Sequence, residues 1–100
     1  MLKILTPNDL IIKEIERDSF LIEIVESINS KLASVDEYPS DGFKFNITTS
    51  DEFTKRQRAL LNYIYNIHGW KLYITSYGKS KNDIYHHTIF LIEQHKIILN

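Results

Sequence analysis

The spacing of apolar residues predicts a helical N-terminal third. From Pro7 to Ala33 these residues recur at intervals of three and four, which places them on one face of a helix. Thr6 before Pro7 is a favourable start, with Thr as N-cap and Pro in the first turn. An unbroken helix of about 26 residues would be about 39 Å long, longer than a domain of this size is wide. We therefore predict a break near Asp18, with Ser19 to Ala33 packed on a sheet.

Alternation replaces this spacing after a loop over residues 34–42. Apolar and polar residues alternate from Phe43 to Thr48, which is typical of a half-buried strand. Thr49 and Glu52 fit the capping-box pattern, so we predict that Thr49 caps the next helix. Gly69 should end that helix, because glycine tolerates the left-handed conformation of a C-terminal cap.

The remaining pattern predicts a β-hairpin. Residues 70–75 alternate, residues 77–83 form a polar loop, and residues 84–92 are again apolar and β-branched. The tail over residues 95–100 fits either a strand or a helical turn. The chain is thus predicted to be one α+β domain over residues 1–100. It should contain a long or broken N-terminal helix, a strand, a second helix and a hairpin, with the helices on one face of a small antiparallel or mixed sheet.

Composition narrows the choice of function. The chain has 12 Lys and Arg against 13 Asp and Glu, so bulk charge gives no attraction to nucleic acid or anionic lipid. It has no cysteine, which excludes disulfides and thiolate chemistry. The apolar runs are too short to span a bilayer, and a signal peptide is not expected. We predict a cytoplasmic protein. Its usage of Ile, Lys, Asn and Tyr is typical of an AT-rich genome, such as that of a low-GC bacterium or one of its phages. By elimination of other classes we favour a phage-type accessory protein, in host cytoplasm or virion.

Histidines are the candidate chemical groups. His86 and His87 are adjacent on a predicted strand and should point to opposite faces, so they cannot chelate one metal together. No spacing requires Asp83, Glu93 and His95 to complete a metal site. We therefore predict no metal and no cofactor.

Two resemblances involve this histidine pair. His86 and Thr88 form a His-x-Thr sequence that resembles one half of the motif of the two-histidine phosphoesterases; the second half is absent, so only a homodimer would bring two copies together. Residues 59–90 also resemble HicA-type mRNA interferase toxins in the order helix, Gly-aromatic, strand, Gly-Ser-His, strand. Here residues 81–85 separate Ser80 from the histidines, and the long N-terminal helix has no counterpart. Both resemblances imply RNA or phosphodiester cleavage through His86 or His87.

A protein-interaction role is the leading interpretation. Leu10, Ile11, Ile12 and Ile15 form an apolar cluster on the first half of the N-terminal helix, beyond the length that one small core can cover. We predict that this cluster contacts a second copy of the chain or a larger protein.

The alternative is an RNA-directed module. The sheet face opposite the helices should display basic and stackable side chains, which suit single strands. The residues predicted to contact nucleic acid are Lys44, Lys71, Tyr73, Lys79 and Lys81.

Overall fold

The computed structural model describes residues 2–37, 39, 41–78 and 84–94. Three helices pack against a three-stranded antiparallel sheet, which confirms the predicted α+β class. In chain order the elements are α1 (Pro7–Glu16), α2 (Ser19–Ala33), β1 (Phe43–Thr49), α3 (Lys55–Ile67), β2 (Trp70–Tyr77) and β3 (Tyr85–Glu93). Lys79, Lys81, Asp83, His95 and the rest of the tail lie outside the described residues, as does the prediction made for the tail.

The predicted break in the N-terminal helix is confirmed. α1 ends at Glu16, and the carboxylate of Asp18 accepts a hydrogen bond from the Leu21 amide at 3.2 Å, which makes Asp18 the N-cap of α2. The break lets α1 fold back onto α2 and α3, so this half does not protrude. Ile15 is buried in the core as a result.

The sheet has the order β1-β3-β2, with β3 in the centre. β2 and β3 form the predicted antiparallel hairpin, and β1 pairs antiparallel with the other edge of β3. Just before β1, Gly42 has a φ of +94°, and a Cβ there would lie 2.7 Å from the Leu91 carbonyl oxygen. Only glycine fits this approach without displacing the backbone of β3.

The predicted start of α3 is wrong. The helix begins at Lys55, and its capping box joins Thr54 to Gln57 rather than Thr49 to Glu52. Both segments fit the local pattern, so tertiary contacts decide between them. Phe53 is buried in the core, and the Thr49 hydroxyl is engaged with His87 at the end of β1.

The core lies between the helices and one face of the sheet. Its members come from every element and from the segment that leads into α3. They are Ile15, Leu21, Ile24, Ile28, Phe43, Ile47, Phe53, Leu60, Leu61, Tyr65, Leu72, Ile89 and Leu91. Because all three helices lie on this side, no described element covers the opposite face of the sheet, which we call the outer face.

Candidate functional site

An open apolar groove of about 440 Å³ lies where the three helices meet the start of β2. Its volume is within the range of about 300–1,000 Å³ typical of ligand pockets. Apolar side chains dominate the lining, with a few polar groups among them. The lining residues are Ile12, Ile15, Glu16, Val25, Asn29, Leu32, Ile64, Tyr65, His68 and Trp70.

Tyr65 is the unusual member of this lining. Its side chain is 8% exposed, and its buried hydroxyl has no hydrogen-bond partner among the described residues. Burial raises the pKa of Tyr65 to about 12, so the hydroxyl stays protonated and can donate. A buried hydroxyl without a partner costs about 1–3 kcal/mol. The oxygen itself is closed to solvent, so a ligand in the groove cannot reach it without a rearrangement.

The same chain carries an exposed apolar segment before α1. Residues 2–6, here called the N-terminal arm, form no helix or strand. Leu2 is 95% exposed and Ile4 is 86% exposed, so neither side chain packs on its own domain. Thr6 fixes where the arm leaves α1, because its amide donates to the Asp9 carboxylate at 2.9 Å and its hydroxyl accepts from the Asp9 amide at 3.2 Å.

The predicted contact cluster on α1 is divided by the structure. Ile15 belongs to the core and also lines the groove, and Ile11 packs against the core with part of its surface exposed. Leu10 is exposed but does not line the groove, whereas Ile12 is partly exposed and does. In this part of the chain the exposed apolar surface comes from Leu10, Ile12 and the N-terminal arm, and helical spacing did not select the arm.

His87, a predicted catalytic candidate, is 1% exposed and fully hydrogen-bonded. Its Nε2 lies 2.7 Å from the Thr49 hydroxyl, and its Nδ1 lies 2.8 Å from the Ser76 hydroxyl. Arg58 donates to Ser76 at 2.7 Å and to the Ile74 carbonyl oxygen at 3.0 Å. No local pattern indicates this role of Arg58, because its partners lie 16 and 18 positions further along the chain.

The directions of these hydrogen bonds assign the tautomer of His87. Thr49 donates its hydroxyl proton to the Asp51 carbonyl oxygen, so it can only accept from Nε2–H. Burial, followed by the nearby charge of Arg58, lowers the pKa of His87 below 6.5, which favours the neutral ring. In a neutral ring with its proton on Nε2, Nδ1 accepts from the Ser76 hydroxyl, which itself accepts from Arg58. The arrangement stabilises the fold and leaves no nitrogen for a substrate.

His86 and Thr88 lie on the outer face, opposite to His87, as the strand alternation predicted. His86 pairs across the sheet with Thr48 and Tyr77, and the Thr88 hydroxyl donates to Asn46 at 3.3 Å. The His-x-Thr pair thus shares one surface. In the described part of the outer face His86 is the single histidine, whereas the two-histidine chemistry needs a base and an acid.

The outer face carries basic and aromatic groups in cross-strand rows. Lys44, Phe90 and Tyr73 form one row, and Thr48, His86 and Tyr77 form another. Polar Asn46, Thr88 and Thr75 lie between the rows, and Lys71 pairs with Ile92 beyond them. Of the residues predicted to contact nucleic acid, Lys44, Lys71 and Tyr73 lie on this face, and Lys79 and Lys81 lie outside the described residues.

Known proteins give no further guidance. Comparisons with protein-family models, curated proteins and solved structures found no match. In the described ranges, no group of three or more His, Asp and Glu side chains is placed to hold a metal ion. None of the helices in that part of the chain has both the length and the apolar character to cross a membrane.

Proposed function

We propose that this is a non-enzymatic interaction protein that self-associates, with the N-terminal arm of one copy seated in the groove of a second copy. The observation that carries the proposal is complementarity within one chain. The groove has an apolar lining, and the arm offers the exposed side chains of Leu2 and Ile4. Reciprocal exchange of arms would form a closed, two-fold dimer.

The chemistry of the arm suits the groove. In an extended segment, side chains two residues apart lie on the same side, about 7 Å apart. Leu2 and Ile4 can therefore enter the apolar lining together.

The affinity of such a dimer depends on two opposing contributions. Each fully buried Leu or Ile side chain contributes about 1.5–3 kcal/mol, and two exchanged arms would bury four of them. Association itself costs about 4–15 kcal/mol. Because these contributions are of similar size, dimer formation is measured over a wide concentration range.

Sedimentation velocity on protein with a free, untagged N-terminus tests the proposal. From about 5 to about 500 µM the wild type should shift from monomer to dimer. Leu2→Asp with Ile4→Asp should give a folded monomer throughout. Leu10→Asp is the matched control: it adds charge to an exposed apolar site outside the groove, and it should leave the dimer intact.

A mixing experiment distinguishes arm exchange from other dimers. Ile12→Asp places a charge in the groove wall and should block arm entry. The arm variant and the Ile12 variant should each be monomeric. An equimolar mixture at the highest concentration should form a one-arm heterodimer that is weaker than the wild-type dimer, because one intact arm meets one intact groove. A dimer formed by either variant alone, loss of the dimer on Leu10→Asp, or a wild type that remains monomeric would each contradict the proposal.

A further inference from the structure

We infer that the outer face of the sheet binds single-stranded nucleic acid. This surface is independent of the groove and lies on the opposite side of the sheet from the helices. Its described side chains include two lysines, one histidine and three aromatic rings, and none of them is acidic. They are Lys44, Asn46, Thr48, Lys71, Tyr73, Thr75, Tyr77, His86, Thr88, Phe90 and Ile92.

Acidic and basic residues are mixed on the helical side, whereas the described outer face has basic residues alone. Exposed Glu16, Glu23 and Glu26 lie on α1 and α2 together with basic residues such as Lys13 and Lys31. A phosphate backbone that approaches the outer face meets Lys44 and Lys71, with no carboxylate among the described residues of that face. This complementarity is what a polyanion requires of a binding surface.

The aromatic rings are placed for stacking. Tyr73 is 52% exposed and Tyr77 is 60% exposed, which is costly for aromatic rings unless a partner covers them. Tyr73 and Phe90 lie side by side, with ring centroids 6.4 Å apart. Together they form a platform on which a base can stack, beside Lys44 in the same row.

A single strand fits this surface better than a duplex. Open sheets bind strands whose unstacked bases lie on aromatic rings, and a paired duplex hides its base faces. The middle row of Asn46, Thr88 and Thr75 offers hydroxyl and amide groups to base edges and sugars. We infer binding and not cleavage, since this face presents one histidine among its described residues.

Fluorescence anisotropy with labelled 12-nucleotide RNA and DNA of one mixed sequence, at low salt, tests the inference. Either strand binding in the micromolar range supports it, and the comparison of the two shows whether the 2′-hydroxyl contributes. Tyr73→Ala should weaken binding about 5- to 150-fold, because one base loses its stacking partner. Two phosphate contacts predict a slope of about −1.4 for log affinity against log salt.

The chain offers a matched charge control. Lys44→Gln with Lys71→Gln should abolish most of the binding, whereas Lys13→Gln with Lys31→Gln makes the same charge change on α1 and α2 and should leave it intact. The inference would be overturned by equal losses in the two double-lysine variants or by undiminished binding of the Tyr73→Ala variant. Equal affinity for a duplex, or no binding at all, would overturn it as well. If Tyr73→Ala changes the sedimentation of the protein in the absence of nucleic acid, the outer face is a contact with protein, and the inference is overturned.

Discussion

His87 is 1% exposed between the sheet and the helices, whereas its neighbour His86 lies on the uncovered outer face beside Tyr77. On the covered face, polar groups are few, and His87 has its ring nitrogens satisfied by Thr49 and Ser76. On the outer face, polar, basic and aromatic side chains remain open to solvent. The contrast teaches that residue type alone does not indicate function. Two adjacent histidines differ in role, because His87 stabilises the fold on the covered face and His86 is accessible on the outer face.

The largest expected difference between the faces concerns packing. Leu72→Ala on the covered face should lower the free energy of unfolding by about 2–5 kcal/mol, because it leaves a cavity in the core. Lys71→Ala, one residue earlier and on the outer face, should change it by less than about 0.5 kcal/mol. Chemical denaturation of both variants measures the difference. Similar values for the two would mean that α3 does not pack on β2.

A smaller difference should follow from removing one hydroxyl. Ser76→Ala leaves both Nδ1 of His87 and one donor of Arg58 without their partner, so we expect a loss of about 1–3 kcal/mol. Thr75→Val is the matched control, because it removes the neighbouring hydroxyl from the outer face and keeps a β-branched side chain. Its effect should stay within about 0.5 kcal/mol. Equal losses would show that the hydrogen bonds of His87 contribute nothing specific.

The smallest expected effect is a pH dependence. The folded state lowers the pKa of His87 below 6.5, so the unfolded chain binds more protons in the weakly acidic range. Stability from His87 should therefore be complete above about pH 6.5 and decline as the pH falls through the lowered value. Denaturation midpoints from about pH 7.5 to about pH 5.5 measure this decline. The His87→Gln variant should lose this decline in stability with falling pH, and the His86→Gln variant should retain it. The reverse result would mean that the pH dependence comes from His86 on the outer face.

Local signals were sufficient for much of this fold. The break at Asp18, the alternation of β1 and the hairpin could be predicted because each depends on neighbouring residues. Alternation also placed His86 and His87 on opposite faces. The start of α3 could not be predicted, because Thr49 and Thr54 both fit a capping box and a distant histidine decides between them.

The groove depends on contacts that the sequence does not encode locally. Its wall combines residues from three helices and one strand, and their meeting requires α1 to fold back at Asp18. Tyr65 was not singled out, because its neighbours Leu61 and Ile64 satisfy the helical pattern without it. A tyrosine beside an apolar stripe is the signal that could have drawn attention to this position.

Backbone amide NMR spectra of the wild-type protein, recorded in a dilution series, test the central claim that the helical side self-associates. We predict concentration-dependent shifts in the arm, at Leu2 and Ile4, and along the groove, at Ile12, Ile64 and Tyr65. Residues of the outer face, such as Tyr73 and Thr88, should not move. Spectra that are identical at all concentrations, or shifts confined to the outer face, would contradict this account.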